Sequence, residues 1–86
     1  MNKGVIIDLT DDKYKTIFTD DVKIDLNGFE KADILVKAEW FKNIDKTITI
    51  ITNKEVLKIK TKSIWNNSGK DRVLTVRNGK ADFKNI

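Results

Sequence analysis

The chain contains no cysteine, no histidine and no proline. Without cysteine there is no disulfide framework and no thiolate metal site. Without histidine, the commonest general base and the commonest metal ligand are lost together. The lack of proline means that nothing forces a break in the chain. Long hydrophobic runs are missing too. The opening MNKGVIIDLT has only Val5, Ile6 and Ile7 in succession before Asp8, too short for a signal peptide or a membrane span. A cytoplasmic location with no membrane partner is expected.

What is present describes a small protein with a thin core. Eighty-six residues make a single domain, 1–86, that buries roughly 60–68% of its unfolded surface. The hydrophobic share is 40% and the charged share 35%, which suits a folded chain rather than a disordered one because Ile, Val, Leu and Phe are plentiful. The wealth of Ile, Lys and Asn is typical of AT-rich coding. The net charge of +4 hides an asymmetry. Residues 1–33 hold five lysines against eight carboxylates, a net of −3, and residues 34–86 hold twelve cations against five carboxylates, a net of +7. Such a split predicts an acidic and a basic region on one body.

Apolar residues alternate with period two, the mark of half-buried strands. In RVLTVRNGKADFKN, Asn78-Gly79 is the preferred pair for a tight hairpin turn, because both central positions need positive φ. A two-residue loop there sets Val76 opposite Ala81 and Leu74 opposite Phe83. A second hairpin, turning at Asn53-Lys54, sets Ile50 opposite Leu57 and Ile48 opposite Ile59, with Thr49 facing Lys58 and Thr47 facing Lys60 on the other side. A slip of one residue would mix apolar side chains with lysine throughout, so the register is well specified. Upstream, ADILVKAEWF reads as a strand with Ile34, Val36, Ala38 and Trp40 on one face. A connection at 43–45 would bring Trp40 opposite Ile48. The rival is a helix capped by Asn27 with Glu30 three residues on. GVIIDL and VKIDL read as short strands, and Thr10 is placed to cap a single helical turn. The segment NNSGKD is a loop by composition. The predicted fold is all-β: an antiparallel meander of five strands from residue 32, completed by N-terminal strands to about 6–8 in all and closed into a small barrel or sandwich.

Residue types suited to catalysis are scarce. Asp11-Asp12 and Asp20-Asp21 match no calcium-loop spacing and read as solvated turn residues. Ser63 and Ser68 have no histidine to activate them. Ser68-Gly69-Lys70 is only the tail of a phosphate-loop pattern, without the first glycine or the following hydroxyl residue. Asn66-Asn67-Ser68 fits a glycosylation acceptor, but no export signal accompanies it. No metal, no cofactor and no enzymatic activity are expected.

The feature left over is positive charge. Strand parity places Lys58, Lys60 and Lys62 on the side away from Leu57, Ile59 and Trp65, at intervals of about 6.6 Å. Were the next strand to run back alongside, Lys60 or Lys62 would lie beside Arg77, with Lys80 and Lys84 following. Six cations would then share one sheet surface with Asp82 as their acidic neighbour. Like charges opposed across strands are destabilising, which an anionic partner would relieve. The plain alternative is a solvated, lysine-rich face that blocks aggregation. Trp40 and Trp65 fall on core parity, leaving Phe41 and Tyr14 as the aromatics with a chance of exposure. A short, strand-built chain without catalytic residues suits a phage or mobile-element product acting in the host cytoplasm. The expected function is protein–protein interaction: the basic face docks on an acidic protein surface, or on the acidic N-terminal region of another copy. The alternative is a small barrel binding nucleic acid through its backbone.

Overall fold

The computed structural model describes residues 3–65 and 71–85. Its strands are β1 (Gly4–Asp8), β2 (Val22–Asp25), β3 (Lys31–Val36), β4 (Thr47–Ile51), β5 (Val56–Lys60), β6 (Arg72–Arg77) and β7 (Lys80–Asn85). They form a four-stranded sheet in the order β1-β3-β6-β7 and a three-stranded sheet in the order β2-β4-β5. Both sheets are mixed: β1 runs parallel to β3 and β2 parallel to β4, and the remaining pairs are antiparallel. The fold is all-β and sandwich-like, and the sheets do not close into a barrel.

The core follows from alternation. Ala32, Ile34, Val36, Leu74 and Val76 from one sheet and Ile48 and Ile50 from the other are buried. Val5, Ile7, Val22, Ile24, Leu57, Ile59, Ala81 and Phe83 pack against them. Each inward residue is followed by an outward one, as the pleat requires.

Both hairpins have the predicted register. Asn78 (φ 54°) and Gly79 (φ 73°) occupy the left-handed region, as the tight turn demands. The other hairpin also turns at Asn53-Lys54, without a positive φ at Asn53. The Thr52 hydroxyl accepts from the main-chain N–H of Glu55 at 3.0 Å and of Lys54 at 3.3 Å, and donates to the Glu55 carbonyl at 2.7 Å. The Asn53 side chain instead reaches the loop between β2 and β3, accepting from Gly28 N–H at 2.8 Å.

The strands from residue 31 onward do not form one meander. After β3 the chain leaves its sheet through a 3₁₀ turn, Ala38–Phe41, and enters the other sheet as β4. Trp40 therefore never pairs with Ile48. The strand reading holds over Lys31–Val36 and ends there, and the helix capped by Asn27 does not form. Ala38 and Phe41 are both buried, and Phe41 meets Phe18 edge-on with ring centroids 4.9 Å apart. Phe41 is thus a core residue rather than an exposed one. Two further 3₁₀ turns, Asp12–Tyr14 and Ile17–Thr19, carry β1 over to β2, and Phe18 from the second is buried. Asp11, not Thr10, caps the first of them, accepting from Lys13 N–H at 3.0 Å. A last 3₁₀ turn, Thr61–Ser63, leads out of β5. The expected loop and the motifs over 66–70 lie outside the described residues.

Candidate functional site

The crossing between β5 and β6 divides the six predicted cations. Lys58 and Lys60 lie on the outer face of the three-stranded sheet, opposite Thr49 and Thr47. Arg77, Lys80 and Lys84 lie on the outer face of the four-stranded sheet. In a sandwich these faces point away from each other, so neither Lys60 nor Lys62 neighbours Arg77. Lys62 belongs to neither face. β5 ends at Lys60, and Thr61, fully buried, turns the chain off the sheet. The Thr61 hydroxyl donates to the Ile44 and Lys46 carbonyls at 3.0 and 3.1 Å and accepts from Lys46 N–H at 2.8 Å.

Each half of the charge acquires partners that parity alone did not supply. On the three-stranded sheet, Lys23 of β2 lies in register with Thr49, which faces Lys58. Asp21, Val22, Lys23, Thr47, Thr49, Lys58 and Lys60 line a shallow depression of about 600 Å³. One carboxylate sits within it, since Asp21 accepts from Thr47 N–H at 2.9 Å.

The four-stranded sheet sorts its outward charges into rows across the strands. One row runs Gly4, Lys31, Arg77, Lys80; the next Ile6, Asp33, Thr75, Asp82; the third Asp8, Leu35, Val73, Lys84. The Thr75 hydroxyl donates to Asp33 at 2.9 Å within the second row. The first row places three cations side by side, at strand spacings of about 4.8 Å. Lys84 is set apart from Lys80 by Asp82.

That cationic row borders a cleft where three connections meet: the loop between β2 and β3, the β4–β5 turn and the β6–β7 turn. Its volume is about 510 Å³, and Lys31 and Arg77 line one side with Lys54 from the opposite sheet. Leu26, Ala32 and Val76, all buried, form the floor. Phe29 and Glu30 stand on the rim, and Phe29 is 39% exposed. The loop is fixed by Leu26 N–H donating to the Ile51 carbonyl at 2.7 Å and Glu30 N–H donating to the Lys3 carbonyl at 2.8 Å. Gly28 turns it with φ 95°. Gly79 is doubly constrained, by its positive φ and by the Glu55 carboxylate lying where a Cβ would stand.

Sequence reading identified Arg77 and Lys80 but missed Lys31, Lys54 and Lys23. Lys31 was legible in principle, because it has outward parity at the head of the Ala32–Val36 run. Lys54 and Lys23 needed the sheet assignment.

Apart from Phe29, the aromatic residues do not extend this surface. Trp40 and Trp65 are half-buried against the core, with Lys37 and Lys42 placed over their rings at 5.6 and 5.7 Å. Tyr14 also packs against the core. Three aspartates of the two acidic pairs have structural partners: Asp11 caps a 3₁₀ turn, Asp20 accepts from Asp21 N–H, and Asp21 accepts from Thr47 N–H at the start of β4. No helix among the described residues is long and apolar enough to cross a membrane. No family model, curated protein or solved structure matches the chain.

Proposed function

We propose that the protein is a non-enzymatic protein–protein interaction module whose docking site is the cleft between the hairpin tips, and that it takes an acidic segment of a partner protein. A phage or mobile-element setting, in the host cytoplasm, fits a strand-built domain that has no histidine or cysteine. The observation that carries the reading is the uninterrupted row Lys31, Arg77, Lys80 beside Lys54 across the cleft. Like charges set directly opposite one another on a sheet cost stability. A carboxylate-bearing segment laid along the row relieves that repulsion and gains several charge-assisted hydrogen bonds, with Arg77 able to grip a carboxylate through two donors. The apolar floor and Phe29 supply the water-excluding part of the contact. Both sites hold carboxylates, Asp21 in the depression on the three-stranded sheet and Glu30 with Glu55 at the cleft, so the cleft serves an acidic partner better through its three aligned cations and its apolar floor.

The same exposed Phe29 beside cations also favours a second reading, single-stranded nucleic acid held by its phosphates with a base stacked on the ring. Fluorescence anisotropy with a labelled oligo-glutamate peptide and a labelled oligothymidine separates the two. The peptide is expected to bind, and replacing Lys54, Arg77 and Lys80 together by Ser is expected to weaken it by about tenfold, taking roughly 0.5 kcal/mol per exposed pair. Replacing Lys23, Lys58 and Lys60 by Ser is expected to change it less than twofold. Equal loss in both triple variants, or no binding by the parent, contradicts the proposal. Tighter oligothymidine binding, with a log–log salt slope of about −0.7 per phosphate contacted, replaces it with the nucleic-acid reading.

A further inference from the structure

The edge of the four-stranded sheet at β1 carries a self-complementary pattern. Among the described residues β1 pairs with β3 alone. Lys31 N–H donates to the Lys3 carbonyl and Leu9 N–H to the Leu35 carbonyl. In a parallel ladder, residues that bridge to one neighbour alternate with residues whose N–H and C=O point the other way. Val5 and Ile7 therefore bond to β3, and the main chains of Gly4, Ile6 and Asp8 face outward from the sheet. Natural edges are usually guarded by lysine, proline or a bulge. The β5 edge has Lys58 and Lys60, whereas β1 presents Ile6, 73% exposed, between Gly4 and Asp8.

We propose that β1 pairs antiparallel with β1 of a second copy about a two-fold axis at Ile6, joining the two four-stranded sheets into one of eight strands. The two-fold register sets Ile6 against its own copy and Gly4 against Asp8. All three are outward-bonding positions, so each pair exchanges two main-chain hydrogen bonds. Ile6 then covers Ile6 on the outer face, and half-buried Val5 and Ile7 cover each other on the inner face. Charge matches as well. Asp8 of one copy lies opposite Gly4 of the other, and Lys31 is the next residue along that row. Gly4 has no side chain to stand between them, so the carboxylate and the ammonium meet over it, twice by symmetry.

The fold itself does not call for glycine at this position. Gly4 has no positive φ, and a Cβ there would meet its nearest atom, the Lys31 carbonyl oxygen, at an ordinary 3.8 Å. Gly4 opens β1, and a glycine there leaves room for the close approach of another chain. A closed two-fold contact consumes both edges and stops at the dimer, unlike a head-to-tail chain.

Sedimentation equilibrium and amide exchange followed by NMR test this on the intact chain. The mass is expected to rise from monomer towards dimer between about 10 µM and 1 mM, the range suited to one short strand pair. The Ile6 and Asp8 amides are expected to gain protection as the dimer fills, while the Ile7 and Leu9 amides are protected at every concentration. I6K, at a position exposed enough to leave the fold intact, is expected to raise the dimer dissociation constant at least tenfold. A chain that stays monomeric throughout that range overturns the proposal. So does a dimer indifferent to I6K, or one whose Ile6 amide exchanges as freely as in the monomer. Lys31 belongs to both contacts, so peptide binding is measured well below the dimer dissociation constant, where failure of either proposal leaves the other standing.

Discussion

Asp8 makes two hydrogen bonds to Thr10, accepting from its hydroxyl at 2.6 Å and from its main-chain N–H at 2.9 Å. Both bonds favour the ionised carboxylate, the hydroxyl bond more strongly, and they hold the Asp8 pKa below its ordinary value despite a small opposing effect of burial. Because the folded pKa is depressed, the stabilisation is complete above the unfolded value and is lost as pH falls through the folded one. An NMR titration of the Asp8 carboxyl carbon is expected to give a midpoint below that of an unstructured aspartate, and T10V to move it upward. A midpoint unchanged by T10V would remove the hydroxyl as the cause. Arg72 shows how a single charge can be misplaced by parity alone. It shares inward parity with Leu74 and Val76, and its side chain is half-buried, with Nε shielded from solvent and without a hydrogen-bond partner among the described residues. It stacks on Phe83 at 4.7 Å and donates to the Ser63 and Ile64 carbonyls at 3.3 and 3.2 Å, so it ties the four-stranded sheet to the turn after β5.

At the scale of elements, legibility tracked how local the signal is. The Asn78-Gly79 turn and the Ile48/Ile59 and Ile50/Leu57 pairs were readable because a hairpin's register is set by the loop and the two flanking strands alone. Parity also said correctly that Lys58, Lys60, Arg77, Lys80 and Lys84 turn away from the core. It could not say which sheet each strand joins, since a lysine facing out of either sheet satisfies the same alternation. That choice is made in the 3₁₀ connections. There the apolar pattern departs from strict alternation, as at adjacent Trp40 and Phe41, and a side chain latches the departing chain. Thr61 is the clearest latch. T61V keeps the shape but leaves Lys46 N–H and the Ile44 carbonyl without this partner in a buried setting. Urea denaturation is expected to show a loss of about 1–3 kcal/mol. T49V, on the outer face, is expected to stay within about 0.5 kcal/mol. Equal costs at the two sites would mean that Thr61 is an ordinary strand residue.

For the whole molecule, the charge asymmetry of the sequence does not become a single positive face. β1 runs from Gly4, beside Lys31, to Asp8, beside Leu35. Asp11, Asp12, Asp20 and Asp21 follow at the end of the sandwich where the 3₁₀ crossings lie, mixed there with Lys60 and Lys62. The hairpin tips at the other end gather Lys31, Lys54, Arg77 and Lys80 around an apolar floor, with Glu30 and Glu55 among them. A positive plate spread over one sheet would require β5 and β6 to be neighbours, and the crossing between the sheets prevents it. What remains is a compact cationic cleft built by loops on a rigid scaffold, the usual location of binding sites. Amide chemical-shift mapping with the oligo-glutamate peptide tests this assignment most directly. Shifts are expected at Phe29, Lys31, Lys54, Arg77 and Gly79, with Lys23, Thr49 and Lys58 unmoved. Shifts centred on β2, β4 and β5, with the hairpin tips silent, would contradict it.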